Sequence, residues 1–208
     1  MAVVHALVRT SWSGTSGGPG LTQMRFEGIT DPHSWDATSA QTAVNAVRTF
    51  WDTIKVQIPD NVTLTVQPTV DVFNNISGEL VGSYAAATPP ATVAGTSAAV
   101  FAMAAGLKLN LNTGVIRYGR RIKGAIFIVP ASSASFTTDG TVTSGTVTAL
   151  NGAGAAMITT LAAANIRPIV YSRPKEAVGT KPARDGAEAP VVSYSTSPKG
   201  AILRGRRD

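Results

Sequence analysis

The chain of 208 residues is 44% hydrophobic and 14% charged, with 20 glycines, 12 prolines, no cysteine and a net charge of +6. Such a length can bury a core, the apolar fraction excludes wholesale disorder, and the lack of cysteine excludes disulfides and thiolate metal sites. Residues 1–100 hold 4 Lys/Arg against 7 Asp/Glu, net −3, and residues 101–208 hold 14 against 5, net +9. This asymmetry predicts an anionic partner for the C-terminal half, an acid–base contact between copies, or charge balanced within one fold.

The first eight residues are too short an apolar stretch, and lack the basic flank, for a signal peptide. No window approaches the ~18 consecutive apolar residues of a membrane span. The expectation is a soluble protein made in the cytoplasm, with no membrane partner. Ala, Gly, Thr, Ser and Val dominate. Small and β-branched side chains favour sheet and close backbone approach, and a sparsely charged surface suits burial against copies of the same chain.

In chain order, Val4, Ala6, Val8, Thr10 and Trp12 alternate with His5, Leu7, Arg9 and Ser11, predicting a strand. "SGTSGGPG" (13–20) reads as a loop, and "LTQMRFEGI" (21–29) as a second strand. Residues 36–59 read as a helix: Asp36, Thr38 and Ser39 are candidate caps, and Ala43, Val47, Phe50, Ile54 and Ile58 recur on one face before Pro59. An apolar stripe with two aromatics (Phe50, Trp51) belongs to a core. Residues 62–84 read as a hairpin turning over "NNISG", with Gly78 in the unusual conformation and Pro68 marking an edge or a bulge. The low-complexity stretch 85–99 reads as a surface loop or arm.

"LKLNLNT" (107–113) alternates and predicts a strand; residues 121–129 predict another, closed by Pro130. Asp139-Gly140 is a turn signal. Val147, Leu150, Gly154, Met157 and Leu161 share one face of a second helix (147–164), weakened by its glycines and ending near Asn165 and Pro168. "RPIVYS" (167–172) and "VVSYS" read as the last strands. Helices separated by runs of strands predict α+β architecture: a mostly antiparallel β-sheet with two packed helices. We expect one domain, 1–208, with a core of about 3–173, an extended loop at 85–99 and an extended C-terminal arm, 174–208. Both extended segments are poor in large apolar groups, which predicts that 85–99 and 174–198 lie on neighbouring subunits.

Nothing assembles into a catalytic constellation. His5 falls in a strand, and His33 in "DPHSWD" between Asp31 and Asp36, where a solvent-facing turn before a helix accounts for all three. The glycine-rich stretches lack the Lys and the strand–turn–helix context of a phosphate loop, and carboxylates are scattered singly. No cofactor, metal or enzymatic activity is expected.

Cations, by contrast, cluster. Arg117, Arg120, Arg121 and Lys123 precede the apolar run 125–129, and Lys199, Arg204, Arg206 and Arg207 form a basic tail. These eight side chains suit phosphates, held without sequence preference, or carboxylates on a neighbouring subunit, or plain solvation. Tyr118, Phe127 and Tyr194 are too few for a base-stacking platform. In the tail, Ile202 and Leu203 directly precede the arginines, which predicts an apolar anchor that aims them.

The succession "GRRIKGAIFIVP", "DGTV", an Ala-rich helix, "IVYSRP" and "AILRGRRD" resembles short virion structural proteins of small viruses and phages, over about Trp12 to Asp208. The resemblance implies self-assembly of copies into a capsid shell or related virion assembly. The alternatives kept open are a tail or head–tail connector component, a non-enzymatic nucleic-acid-binding accessory protein, and, from another class, a small hydrolase or transferase.

Overall fold

The computed structural model describes residues 4–13, 20–28, 34–74, 77–98, 105–112, 127–129, 132–135, 143–168 and 191–198. Its architecture is α+β, with antiparallel strand pairing throughout both sheets and two long helices. The main sheet has seven strands. β1 (Val4–Ser13) is central, with β2 (Gly20–Gly28) on one side. On the other side β1 pairs with β3 (Thr63–Val66) along one half of its length and with β4 (Thr69–Asn74) along the other.

β3 and β4 are one strand interrupted at Gln67-Pro68. The register passes from Thr10 opposite Val66 to Leu7 opposite Asp71, so a step of three residues on β1 meets a step of five on its neighbour. The proline has no N–H to give a ladder, and the chain bulges there. Because the insertion is even-numbered, Leu64, Val66, Val70 and Val72 all stay on the buried face. Gln67 holds the bulge in place, its N–H donating to the Arg9 carbonyl (2.8 Å) and its Nε2 to Ser11 Oγ (3.2 Å).

The hairpin returns through β5 (Leu80–Ala85), with Gly78 in the left-handed region at φ +75°, as its place in "NNISG" predicts. β6 (Val93–Ala94) continues along the same side by pairing with β3. Across the sheet β9 (Ile166–Pro168) pairs with β2.

α1 (Ala37–Ile54) covers one face of this sheet. Asp36 caps it, its Oδ1 accepting the Ser39 N–H at 2.7 Å, and the helix tightens into a 3-10 turn over Lys55–Gln57 before Pro59. Ala43, Val47, Phe50, Trp51 and Ile54 are buried against the row Val72–Ala6–Phe26 and the neighbouring Val8 and Met24. Within that apolar layer the Trp51 indole N–H donates to Thr10 Oγ1 at 3.0 Å, which satisfies a buried hydroxyl opposite Thr22.

α2 (Ser144–Ala163) packs beside α1 and buries Leu150, Ala153, Met157 and Leu161. Thr143 caps its start, and its end turns through Asn165 at φ 57°, a conformation asparagine tolerates. By length and composition α2 could cross a membrane; here its Leu150, Met157 and Leu161 belong to the core. The two helices are joined by a polar seam. Gln57 Oε1 accepts from the hydroxyls of Thr146 (2.8 Å) and Ser135 (3.1 Å), and the Gln57 carbonyl accepts the Ser132 N–H (2.8 Å). The C-terminal end of α1 thus meets the N-terminal end of α2, so the helices run in opposite senses.

A second sheet has the order β10–β7–β8, from β7 (Ala105–Asn112), β8 (Phe127–Val129) and β10 (Val191–Pro198). β8 lies against β2, and β10 against α2.

The segment 85–98 corrects an expectation. It does not leave for a neighbour but is strapped to its own core. Ala86 and Val93 are buried, and the N–H groups of Gly95, Thr96 and Ser97 donate to the carbonyls of Val62, Lys55 and Ile58 (2.9, 3.0 and 2.9 Å). Backbone pairing replaces the large side chains the segment lacks.

Candidate functional site

Arg117, Arg120, Arg121 and Lys123, and Lys199, Arg204, Arg206 and Arg207, lie outside the described residues. So do His33, Asp139-Gly140, the Ile202-Leu203 pair and the arm 174–208 apart from residues 191–198. The predicted strand 121–129 is described only at Phe127–Val129.

The small sheet does fix where both basic clusters are attached. Asn112 is opposite Val191, and Ala105 is opposite Pro198. The connection 113–126, which carries the first cluster, therefore starts at one end of the eight-residue β7. The tail leaves β10 at the other end, seven residues and about 24 Å away at ~3.4 Å per residue. Read from the sequence as one set of eight cations, the clusters are tethered to opposite ends of a sheet.

Among the described residues, the main sheet holds one internal ion pair. On the face away from α1, Arg9 forms an ion pair with Asp71, and Ser83 donates to the same carboxylate at 2.6 Å. These hydrogen bonds, Ser83 first and Arg9 next, hold the Asp71 pKa below its ordinary value. Asp52 accepts from Lys55 (3.1 Å) and lies near Arg48 (3.9 Å), and the Lys55 hydrogen bond lowers its pKa in the same way. Asp36 is committed to its cap. The described carboxylates are thus dispersed and largely engaged. They make no patch for the tail arginines of a neighbour.

His5 stacks on Phe73, ring centroids 5.7 Å apart. Among the described residues no group of three His, Cys, Asp or Glu is placed to hold a metal.

Two exposed surfaces carry no charge. The first is α2, which contains no ionisable residue. Its exposed Thr148, Thr159 and Thr160 turn their hydroxyls back to the carbonyls of Ser144, Ala155 and Ala156, each at 3.0 Å. The helix therefore shows methyl groups and backbone rather than donors.

The second is β5, an outer strand of the main sheet. Its sequence LVGSYA has neither charge nor proline, and Leu80 and Val81 are each 57% exposed. Natural edges are ordinarily blunted by charge, proline or brevity. β9, at the far side, is three residues long and ends in Pro168. β5 has only the bulge at Val81, where the register passes from Gly82 opposite Val72 to Leu80 opposite Phe73. Sequence alternation identified this hairpin, but alternation is the same for central and outer strands, so its outer position among the described strands was not legible there. Compared with known family models, curated proteins and solved structures, the chain matches none.

Proposed function

We propose that this chain is a structural protein of a virus or phage particle, whose copies assemble into a capsid shell. The observation that carries this reading is the division of charge. The folded core pairs Arg9 with Asp71 and Lys55 with Asp52 and exposes uncharged surfaces, while eight of the 18 Lys/Arg sit in the two clusters tethered at opposite ends of the small sheet. Uncharged surfaces suit contacts between copies, because no ion has to be desolvated to bury them. Arg117, Arg120, Arg121, Lys123, Lys199, Arg204, Arg206 and Arg207 then neutralise packaged nucleic acid through its phosphates, without reading sequence. The dispersal of the described carboxylates favours phosphate over a neighbouring acidic patch as the counter-charge.

The test is to express the full chain and separate it on a density gradient, with and without nuclease. Particles containing host nucleic acid, whose content falls when the tail arginines become glutamine, support the proposal. A monomer that binds nucleic acid with a steep salt dependence supports the accessory-protein reading instead.

A further inference from the structure

Four cationic side chains are described in the folded core, and three of them meet an aspartate: Arg9 with Asp71, and Lys55 and Arg48 with Asp52. Arg25, on β2, differs. Its Nε is buried and makes no hydrogen bond, while its two Nη groups are not buried with it. Among the described residues no carboxylate pairs with it.

The surroundings explain why. Met24 and Phe26 are buried toward α1, so Arg25 stands on the opposite face of the sheet, across from Leu7. Glu27, two residues along on that face, is 3% exposed and engaged elsewhere. Asp71, beyond β1, is held by Arg9 and Ser83. A cationic group sunk into a fold without a counter-charge is costly to keep, and it calls for a partner from outside.

We propose that Arg25 is a phosphate contact on the folded core, and that the sheet face away from α1 is the one turned toward packaged nucleic acid. The inference rests on the virus-particle reading and adds which surface of the subunit looks inward. With Nε buried, the guanidinium is held at its base and presents its Nη groups to solvent. That fork donates two parallel hydrogen bonds to phosphate oxygens. A carboxylate of a neighbouring copy is the weaker match, because Asp36, Asp52 and Asp71 are already engaged by a cap and by cations.

Position agrees with this. β8 of the small sheet lies against β2, the strand that carries Arg25. Lys123 stands four positions before Phe127, the first residue of β8, so the chain keeps it within about 14 Å of that strand. One of the two basic clusters is thus tied to the neighbourhood of β2. On the helical side, α2 offers no ionisable residue.

The full chain and its variants are titrated with a single-stranded oligonucleotide over a range of salt. Arg25→Met should lower the slope of log affinity against log salt by about 0.7, the share of one phosphate on a single strand. Arg25→Lys should recover the slope, since the charge returns without the fork. Arg48→Gln, on α1, should leave it unchanged. The urea midpoint of Arg25→Met should equal or exceed that of wild type, because a buried unpaired group is gone.

The wild-type slope in Arg25→Met overturns the proposal, and continued packaging by wild type then leaves the shell reading standing. Impaired assembly at that unchanged slope also overturns it and assigns Arg25 to a carboxylate of a neighbouring copy. Failure of Arg25→Met to fold, or of wild type to bind the oligonucleotide, overturns it too. A wild type that binds with the Arg25 effect but never assembles upholds the contact and removes the shell reading.

Discussion

Gln41 on α1 grips Thr88 at both of its backbone groups. The Thr88 N–H donates to Gln41 Oε1 at 2.8 Å, and Gln41 Nε2 donates to the Thr88 carbonyl at 3.2 Å and to Asn45 Oδ1 at 3.0 Å. A single side chain thereby fastens the middle of the strap that joins β5 to β6. Gln41→Ala should cost about 1–2 kcal/mol in urea unfolding. It should also open a new proteolytic site between Ala87 and Thr92, whereas wild type should resist cleavage there even as a monomer.

Further along the strap, Gly95 has no room for a side chain. A Cβ there would lie 2.1 Å from the Pro59 carbonyl oxygen and 2.6 Å from that of Ile58. Both are backbone atoms that cannot rotate away. Gly95→Ala should therefore destabilise the fold by at least about 3 kcal/mol, read as a lowered urea midpoint or as loss of soluble protein. An unchanged midpoint would mean the strap does not pack in this way.

The Asp71 carboxylate should make stability acid-sensitive. Its folded pKa is depressed, so its contribution is fully present above the ordinary aspartate value of 3.8 and is lost as pH falls through the lower folded value. Asp71→Asn should cost about 1 kcal/mol near neutral pH. The urea midpoints of variant and wild type should converge as pH is taken down to about 3. A gap that stays constant over that range would assign the loss to packing rather than charge.

At the seam between the helices, Gln57→Leu removes the acceptor shared by Thr146 and Ser135, both fully or almost fully buried. The expected loss is about 2–3 kcal/mol. Amide exchange should accelerate first in the opening turns of α2. Uniform acceleration across the sheet would show that the seam is not a local latch.

Much of the fold could be read from side-chain period. The α1 stripe, the alternation of β1 and the Gly78 turn each follow from one local physical rule and stand where they were expected, and of the edge or bulge that Pro68 predicted the structure has the bulge. The segment 85–98 was misread because backbone groups hold it: Gly95, Thr96 and Ser97 have no apolar periodicity, yet their N–H groups are all spent on the core. The outer position of β5 among the described strands was equally hidden, since neighbour order is a property of topology. The two basic clusters were visible in the sequence. Their attachment to opposite ends of β7 follows only from the register of β10.

The central claim is that the full chain builds a closed particle from copies of itself, and particle mass tests it most directly. Mass photometry of the purified full chain across a concentration series should show monomer giving way, above a threshold, to one narrow high-mass species with few intermediates. Its mass should be a fixed multiple of the 21.4 kDa chain plus nucleic acid. A chain that stays monomeric at every concentration and salt, with or without added nucleic acid, would contradict the account.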